Sequence, residues 1–296
     1  MARPIYAGAD RALVRLKSGE YICVDTNSLD SIDYLLGWEM EADFLPVFRR
    51  FLTAESVVLD IGANFGLYTA TTATIVKDRG RLYSFEANPH TFGLLRRTLY
   101  ANRLAQRPNV IAVNVLVGDR PGRGTLHYLA EYLGGASMID LGRPCSEQRS
   151  IDLDMITIDD FLPDTLAVDL VKIDVEGYEP HVIRGMEQTI RRSPNIRIFL
   201  EFVEAFLLHT VGAEKFVEEI AALGFSICRV LPRSRLAMVE SGQTLHGAHF
   251  CLLTRTPEKD MARVHQAGRR LPVRLVKWVT RLETRWDRYR HALHRI

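Results

Sequence analysis

The feature that most constrains the fold is a short apolar segment that ends in an acid and continues into a glycine-rich turn. Ser56 to Asp60 precedes Gly62-Ala63-Asn64-Phe65-Gly66, and a helix is predicted from Thr69 to Lys77. A second apolar segment, Arg81 to Glu86, also ends in an acid and is followed by a predicted helix. Strands that alternate with helices are typical of a parallel sheet with helices on both faces. The sequence therefore predicts a doubly wound α/β fold.

The rest of the chain extends this pattern to a mostly parallel sheet of seven strands. The further strands are predicted over 110–117, 168–174, 195–201, 225–230 and 249–254, and helices over 89–104, 180–192 and 213–223. No helix separates the last two strands, so we expect them to pair antiparallel. Residues 120–160 are irregular and rich in glycine, and we expect them to cover the carboxyl edge of the sheet, where ligands bind in such folds.

Three segments are predicted from these elements. Residues 1–52 form an N-terminal hairpin over 12–24 and a helix near Pro46 that pack on the core. Residues 53–255 form the main domain. Residues 256–296 form a basic amphipathic helical extension, with twelve Lys and Arg against four Asp and Glu over 255–296.

The turn and the two strand-end acids together indicate a cofactor. A nicotinamide dinucleotide favours GxGxxG, but Asn64 stands where the second glycine of that motif is expected. An acid before the first glycine, here Asp60, suits an amino group, and the N–H groups at the start of the helix suit a carboxylate. Glu86 at the second strand end suits the two ribose hydroxyls. This combination predicts S-adenosylmethionine, with Asp60, Gly62, Asn64, Gly66 and Glu86 as its binding residues.

From about Val14 to Thr254 the chain resembles the FkbM family of S-adenosylmethionine-dependent methyltransferases. The matching segments are Gly37-Trp38-Glu39, Val58 to Thr69, Phe85 to Pro89, Leu95 to Asn102, Ile158 to Phe161, Asp169 to Glu179 and Phe199 to Glu201. The run Lys172-Ile173-Asp174-Val175-Glu176-Gly177-Tyr178-Glu179 is the most specific of them. The family usually has Glu-Pro where this chain has Glu86-Ala87. The resemblance implies a class I methyltransferase, Rossmann-like fold and O-methylation of a sugar, glycan or secondary metabolite.

The catalytic candidates follow the fourth predicted strand. A hydroxyl nucleophile loses its proton as the new bond forms, and a carboxylate or histidine can accept that proton. Asp174, Glu176 and His181 are the candidates for this role, and Asp119 is a candidate contact near the adenine. Lys172 lies in a buried strand and is expected to pair with Asp174 or Glu201. Asp174, Glu176 and Glu201 offer oxygen ligands to a hard cation, but no histidine–carboxylate spacing demands a metal, and none is predicted.

Two alternatives to O-methylation stay open. One is a non-catalytic cofactor-binding partner in a biosynthetic complex, and the other is an N-methyltransferase acting on a small amine. Nucleic acid is not an expected partner, because the net charge is only +2 and the fourth strand lacks an Asn/Asp-Pro-Pro-aromatic motif. The expected acceptor is a small molecule or a glycan.

Composition and the tail bear on location. The four cysteines form no CxxC pair and the N-terminus has no apolar segment of signal-peptide length, so the expected location is cytoplasmic. Beyond Pro272, seven apolar residues recur at alternating spacings of four and three, surrounded by arginines. Such a stripe must be buried, so self-association and peripheral membrane contact through residues 270–296 are both expected as alternatives to packing on the domain.

Overall fold

A computed structural model describes residues 3–38, 41–140, 148–240 and 245–268. The predicted doubly wound α/β architecture is confirmed, with a central sheet between two apolar cores. Both cores contain side chains of the central strands. One of them also contains side chains of the N-terminal strands and of the helices after the glycine turn, and the other contains side chains of the helices over 158–161 and 182–220. None of the described helices has the length and apolar character that a membrane crossing requires.

The central sheet has eight described strands, one more than the seven predicted. They are β4 (Val57–Ile61), β5 (Arg81–Phe85), β6 (Val110–Val113), β11 (Leu170–Ile173), β12 (Arg197–Val203), β13 (Ser226–Leu231), β14 (Arg235–Met238) and β15 (Ala248–Thr254), in the spatial order β14-β13-β15-β12-β11-β4-β5-β6. Five neighbouring strands are parallel, namely β12, β11, β4, β5 and β6. The other three, β13, β14 and β15, pair antiparallel. The antiparallel pairing of the last two predicted strands, now β13 and β15, is confirmed.

The additional strand is β14, at the edge of the sheet. The turn between β13 and β14 places Arg233 and Ser234 at φ values of 64° and 53°. Two successive positive φ values are the backbone of a tight hairpin turn, which usually carries Asn-Gly or Asp-Gly. Because Arg-Ser lacks this signature, no hairpin is predicted there from the residues.

The predicted strand over 110–117 is wrong as a single element. It divides into β6 and the short β7 (Leu116–Val117), which belong to different sheets. Between them, the Asn114 amide donates to the carbonyl oxygens of Glu86 and Ala87 at 2.8 and 2.7 Å. The chain therefore leaves the central sheet at the end of β6.

The strand β7 joins a second sheet formed by the predicted insertion. Its other strands are β8 (Gly122–Leu129), β9 (Tyr132–Ser137) and β10 (Gln148–Ile156), in the order β7-β10-β8-β9. Residues on β8 and β9 line a cavity together with the ends of β4, β5 and β11. The expectation that this segment covers the carboxyl edge of the sheet is confirmed.

The helices lie on both faces of the central sheet. They are α1 (Ile32–Leu35), α2 (Leu45–Arg49), α3 (Leu67–Ile75), α4 (Pro89–Ala101), α5 (Ile158–Phe161), α6 (Glu179–Arg184), α7 (Glu187–Arg192), α8 (Glu204–Leu207), α9 (Ala213–Ala222) and α10 (Pro257–Gly268), with a 3-10 turn at Leu29–Ser31. The start of α4 shows the sequence features that favour a helix N-terminus. The Asn88 side chain accepts the His90 N–H at 3.0 Å, and Pro89 occupies the first turn.

The predicted helix over 180–192 is interrupted in the middle. It forms α6 and α7, separated by Gly185 and Met186. A Cβ atom at Gly185 would come within 1.8 Å of the Gly118 carbonyl oxygen, so the backbones meet there. The Gly185 carbonyl also accepts the Asp159 N–H at 3.0 Å. Tertiary contact therefore overrides the helical pattern.

The N-terminal segment forms a three-stranded antiparallel sheet of β1 (Ile5–Tyr6), β2 (Arg11–Arg15) and β3 (Tyr21–Asp25), which contains the predicted hairpin. It packs against α4, where the Cys23 N–H donates to the Thr98 hydroxyl at 2.8 Å. The predicted helix start near Pro46 is confirmed by α2, which has a proline in its first turn. Residues 269–296, on which the predicted apolar stripe falls, lie outside the described residues.

Candidate active site

The glycine-rich turn crosses directly over the end of β11. Gly62 has a φ of +74°, and a Cβ atom there would lie 1.9 Å from the Asp174 carbonyl oxygen. Gly66 has a φ of +93° and packs on α4, where a Cβ atom would lie 2.6 Å from Leu95 Cδ1. Both positions favour glycine because of their positive φ, and Gly62 requires it also because backbone atoms of β11 approach so closely. Gly62 lines the cavity, whereas Gly66 supports the turn from behind.

The N–H groups of this turn are largely used inside the protein. Those of Gly62 and Ala63 donate to the Phe85 carbonyl oxygen at 2.9 Å, and that of Gly66 donates to Ala63. The Asn64 N–H donates to Glu86 Oε2 at 2.8 Å. The expected carboxylate contact with the N–H groups at the start of α3 stays a prediction. The N–H groups of these four turn residues are instead used within the protein. Close packing of β4 against β5 is the physical reason.

Asp60 lies beneath the turn rather than on the cavity wall. Its side chain is only 1% exposed, and Oδ2 accepts the Thr69 hydroxyl at 2.6 Å. Burial raises the pKa of Asp60, while Lys172, 3.9 Å from Oδ1, and the Thr69 hydroxyl act in the opposite direction. Asp60 is thus held within the site by α3 and β11.

Glu86 is the acid of the second strand end, and it lines the cavity. Its Oε1 accepts the Asn88 N–H and its Oε2 accepts the Asn64 N–H, both at 2.8 Å. Burial raises the pKa of Glu86 to about 7, although these two N–H groups lower it. Each carboxylate oxygen has a second lone pair, so this side chain can accept hydrogen bonds from a ligand as well.

The cavity is open to solvent, and the space free of protein atoms between its walls, including the solvent at its mouth, is about 630 Å³. Its polar wall contains Gly62, Asn64, Glu86, Asp174 and Glu176. Its apolar wall was not predicted from the sequence and consists of Ile61, Phe85, Ala87, Val115, Leu116, Val117, Leu126, Leu133, Ala136, Met138, Val175 and Tyr178. The cavity therefore combines one polar side with an apolar slot between the two sheets.

The end of β11 carries the predicted catalytic carboxylates. Asp174 lines the cavity with its side chain 22% exposed, and its Oδ2 lies 3.4 Å from Lys172 Nζ. The predicted pairing of Lys172 with Asp174 is thus confirmed. Glu176, at a φ of 53°, is buried but also lines the cavity, and its carbonyl oxygen accepts the Ser137 hydroxyl at 2.7 Å.

Three carboxylates converge at this end. One oxygen each of Asp174, Glu176 and Glu201 lies within 4.8 Å of the others, although no metal was predicted. Carboxylate oxygens are ligands that Mg²⁺ and Ca²⁺ prefer, so these residues could hold such an ion.

His181 and Asp119 are brought together, but neither lines the cavity. His181 Nδ1 lies 2.7 Å from Asp119 Oδ2, and the imidazole stacks on Tyr178 with ring centroids 4.1 Å apart. Burial opposes ionisation of Asp119, but the hydrogen bond and charge of His181 lower the pKa of Asp119 below its usual value. The pair meets the cavity through Tyr178, which does line it.

Two further acids, which contact cavity-lining residues, were not assigned roles from the sequence. Glu179 accepts the N–H groups of Val175 and Gly177 at 3.0 and 3.2 Å, and burial raises its pKa to about 7. Asp30, whose pKa burial also raises, lies 3.5 Å from Asn64 Nδ2. The sequence could have indicated Glu179, because it belongs to the conspicuous segment Glu176-Gly177-Tyr178-Glu179. It could not have indicated Asp30, which lies 34 residues before Asn64 in the chain.

This geometry coincides with a known domain. The model of the methyltransferase FkbM domain matches residues 60–227, which include the glycine turn, Glu86 and the carboxylates after β11. The chain belongs to the FkbM methyltransferase family. The family match confirms the resemblance inferred from the motifs.

Individual relatives of this FkbM-family chain are distant. It is 25% identical over 149 residues to Methyltransferase 1 of Beauveria bassiana, with 45% of this chain and 59% of that protein covered. It is 28% identical over 171 residues to the AMB antimetabolite synthetase AmbE of Pseudomonas aeruginosa, with 46% of this chain but only 8% of that protein covered. A crystal structure of methyltransferase FkbM from Methylobacillus flagellatus aligns at a TM-score of 0.43 and 15% identity, over 69% of this chain and 44% of that one.

Proposed function

We propose that this FkbM-family protein uses S-adenosylmethionine to methylate a hydroxyl group of a sugar, glycan or secondary metabolite. The observation that carries the proposal is Glu86, a strand-end carboxylate that lines a cavity with one polar wall and one apolar wall. An adenosyl group needs a diol acceptor beside an apolar slot, and the cavity offers both. The similarity to an antimetabolite synthetase supports a secondary metabolite among the candidate acceptors.

The residues of the cavity fit this cofactor. The buried Oδ1 atom of Asn64 has no hydrogen-bond partner in the described part of the chain, and Asn64 lines the cavity. An amino group of a ligand would satisfy this oxygen. Glu86 would hold the ribose hydroxyls, and the slot between Ala87, Val117 and Tyr178 would hold the adenine. Asp60 would not contact the cofactor directly. It would act through its negative charge beneath the turn and through its hydrogen bond with Thr69 of α3.

The proposed chemistry is a displacement at carbon. When bound, S-adenosylmethionine supplies an electrophilic methyl group on a sulfonium. The turn at Gly62 and the end of β11, whose backbones are in contact, would together position the reacting groups. Alignment of this kind contributes several kcal/mol to such reactions, roughly 7–11 kcal/mol in well-oriented cases. Asp174, partly exposed on the wall, would take the proton from the acceptor hydroxyl, and the apolar slot would keep water from the methyl group.

Glu176 and His181 have supporting roles in this proposal. Glu176 lines the same end of the cavity and would orient the acceptor. His181 does not line the cavity, so it would act through Tyr178 or from a position that the acceptor reaches beyond the slot. Asp119 would then orient His181 rather than contact the adenine directly.

The test is transfer of a labelled methyl group from S-adenosylmethionine to a panel of glycans, hydroxylated metabolites and amines. We expect hydroxyl acceptors to be labelled, and turnover to fall about 10²–10⁴-fold in Asp174→Asn if this carboxylate takes the proton. Labelling of amines alone would replace O-methylation by N-methylation. Binding of the cofactor with no labelling of any acceptor class would favour a non-catalytic binding partner.

A further inference from the structure

Lys172 is a buried cation at the junction of the glycine turn and the carboxylate edge. It lies on β11, between β4 and β12, and its side chain is only 7% exposed. Its Nζ atom donates to the Gly62 carbonyl oxygen at 2.5 Å and lies 3.4 Å from Asp174 Oδ2 and 3.9 Å from Asp60 Oδ1. One ammonium group therefore connects the turn, the acid beneath it and the acid on the cavity wall.

This lysine carries its positive charge. Burial alone lowers the pKa of Lys172, but the carboxylates of Asp174, Asp60 and Glu41 outweigh burial and raise it. The ammonium also lies 5.6 Å from the centre of the Tyr68 ring, whose π-face attracts a cation. The positive charge is thus fixed close to the described acids Asp174, Asp60 and Glu41.

A fixed cation at this place would affect methyl transfer from a sulfonium, because the sulfur loses its positive charge in that reaction. A sulfonium is positive before methyl transfer and becomes a neutral thioether afterwards. An acidic edge therefore attracts the reactant more strongly than the transition state, in which the positive charge is already spreading to the acceptor. Binding energy that favours the ground state does not accelerate the chemical step. A cation placed between the acids reduces that ground-state attraction.

We propose that Lys172 is a positioning residue that fixes the Gly62 carbonyl and the Asp174 carboxylate and offsets the attraction of the acidic edge for the sulfonium. The proposal rests on the proposed use of S-adenosylmethionine. It extends that function, because it makes one side chain responsible for the relative affinities for the charged cofactor and its neutral product.

The experiment compares the dissociation constants of positively charged S-adenosylmethionine and neutral S-adenosylhomocysteine by calorimetric titration. In Lys172→Met, we expect the preference for the charged ligand over the neutral one to rise about tenfold, since one nearby positive charge is removed. In Asp174→Asn, the preference should fall. In Lys172→Arg, which keeps the charge, it should stay near the parental value. Lys77→Met is the control for loss of a positive charge elsewhere, because Lys77 is an exposed lysine two residues after the end of α3.

A purely structural role for Lys172 would change both affinities by the same factor, so an unchanged preference in folded Lys172→Met would overturn the proposal. If Lys172→Met does not fold, the double variant Lys172→Met/Asp174→Asn removes both charges together. Its preference should return to near the parental value, and a preference equal to that of Asp174→Asn alone would overturn the proposal. A parental protein that binds neither ligand would instead refute the proposed cofactor.

Discussion

At the scale of single residues, the site is defined by acids that are buried but serve different purposes. Asp60 supports the turn from below, Glu86 lines the cavity, and Glu179 holds the loop after β11. A carboxylate withdrawn from water is less stable in its charged form, unless hydrogen bonds or cations replace the lost hydration. The chain uses backbone N–H groups for Glu86 and Glu179, and a lysine for Asp60 and Asp174.

The raised pKa of Glu86, about 7, predicts a pH-dependent affinity for the cofactor. Only the ionised carboxylate can accept hydrogen bonds from both ribose hydroxyls, so binding favours loss of the proton. Affinity for S-adenosylhomocysteine should therefore rise as the pH increases through about 7 and then level off. Titrations between pH 5.5 and about 8.5 should show this rise in the parent and a flat dependence in Glu86→Gln. An equally steep rise in the variant would mean that another group titrates.

The raised pKa of Glu179 predicts that the stability of the unliganded protein depends on pH. This pKa is about 7 when folded against an ordinary value of 4.5, so the folded state holds a proton that the unfolded state has released between these pH values. The free energy of unfolding should therefore fall as the pH rises from 4.5 to 7, by up to about 3 kcal/mol from this residue. Urea unfolding of Glu179→Gln should show a shallower fall than the parent. Identical slopes would contradict the burial argument.

At the scale of elements, the site depends on contact between two backbones. The glycine turn and the end of β11 touch so closely at Gly62 that no side chain fits there. Gly62→Ala should therefore destabilise the protein by more than 3 kcal/mol or so, through both its positive φ and the overlap with Asp174. The matched control is Gly93→Ala in α4, where an added Cβ meets no atom within 4 Å.

Gly93→Ala should be neutral or stabilise the protein by up to about 1 kcal/mol, because alanine favours the helix. Chemical denaturation of the two variants provides the comparison. Equal stability of Gly62→Ala and the parent would mean that the turn and β11 are not in contact.

Some of these elements could be predicted from sequence patterns alone, and others could not. The strand–acid–turn–helix order of β4 and α3 is local, so Asp60 to Gly66 indicated it directly. The break between β6 and β7 and the interruption of the helix at Gly185 depend on distant partners, Glu86 and Gly118. The apolar pattern of a segment does not contain that information. Similarly, Arg233-Ser234 adopts a hairpin turn that these residues rarely form.

At the scale of the whole molecule, the cavity is the product of two sheets. The ends of the central strands supply the polar residues, which the motifs identified in advance. The sheet β7-β10-β8-β9 supplies Leu126 and Leu133, and Met138 follows directly after β9. These residues belong to an insertion whose sequence has no distinctive motif. Acids at strand ends are thus readable from the sequence, whereas the surface that would enclose the adenine is known only from the fold.

The central claim is that this cavity binds an adenosyl sulfonium cofactor through Glu86. Calorimetric titration of the parental protein with S-adenosylhomocysteine, with NAD as the comparison ligand, tests the claim most directly. We expect one-to-one binding of S-adenosylhomocysteine and no binding of NAD. Glu86→Ala should lose roughly 1.5–3 kcal/mol of binding free energy, the usual contribution of hydrogen bonds to a charged group. Tight binding of NAD, or unchanged affinity in Glu86→Ala, would contradict the account.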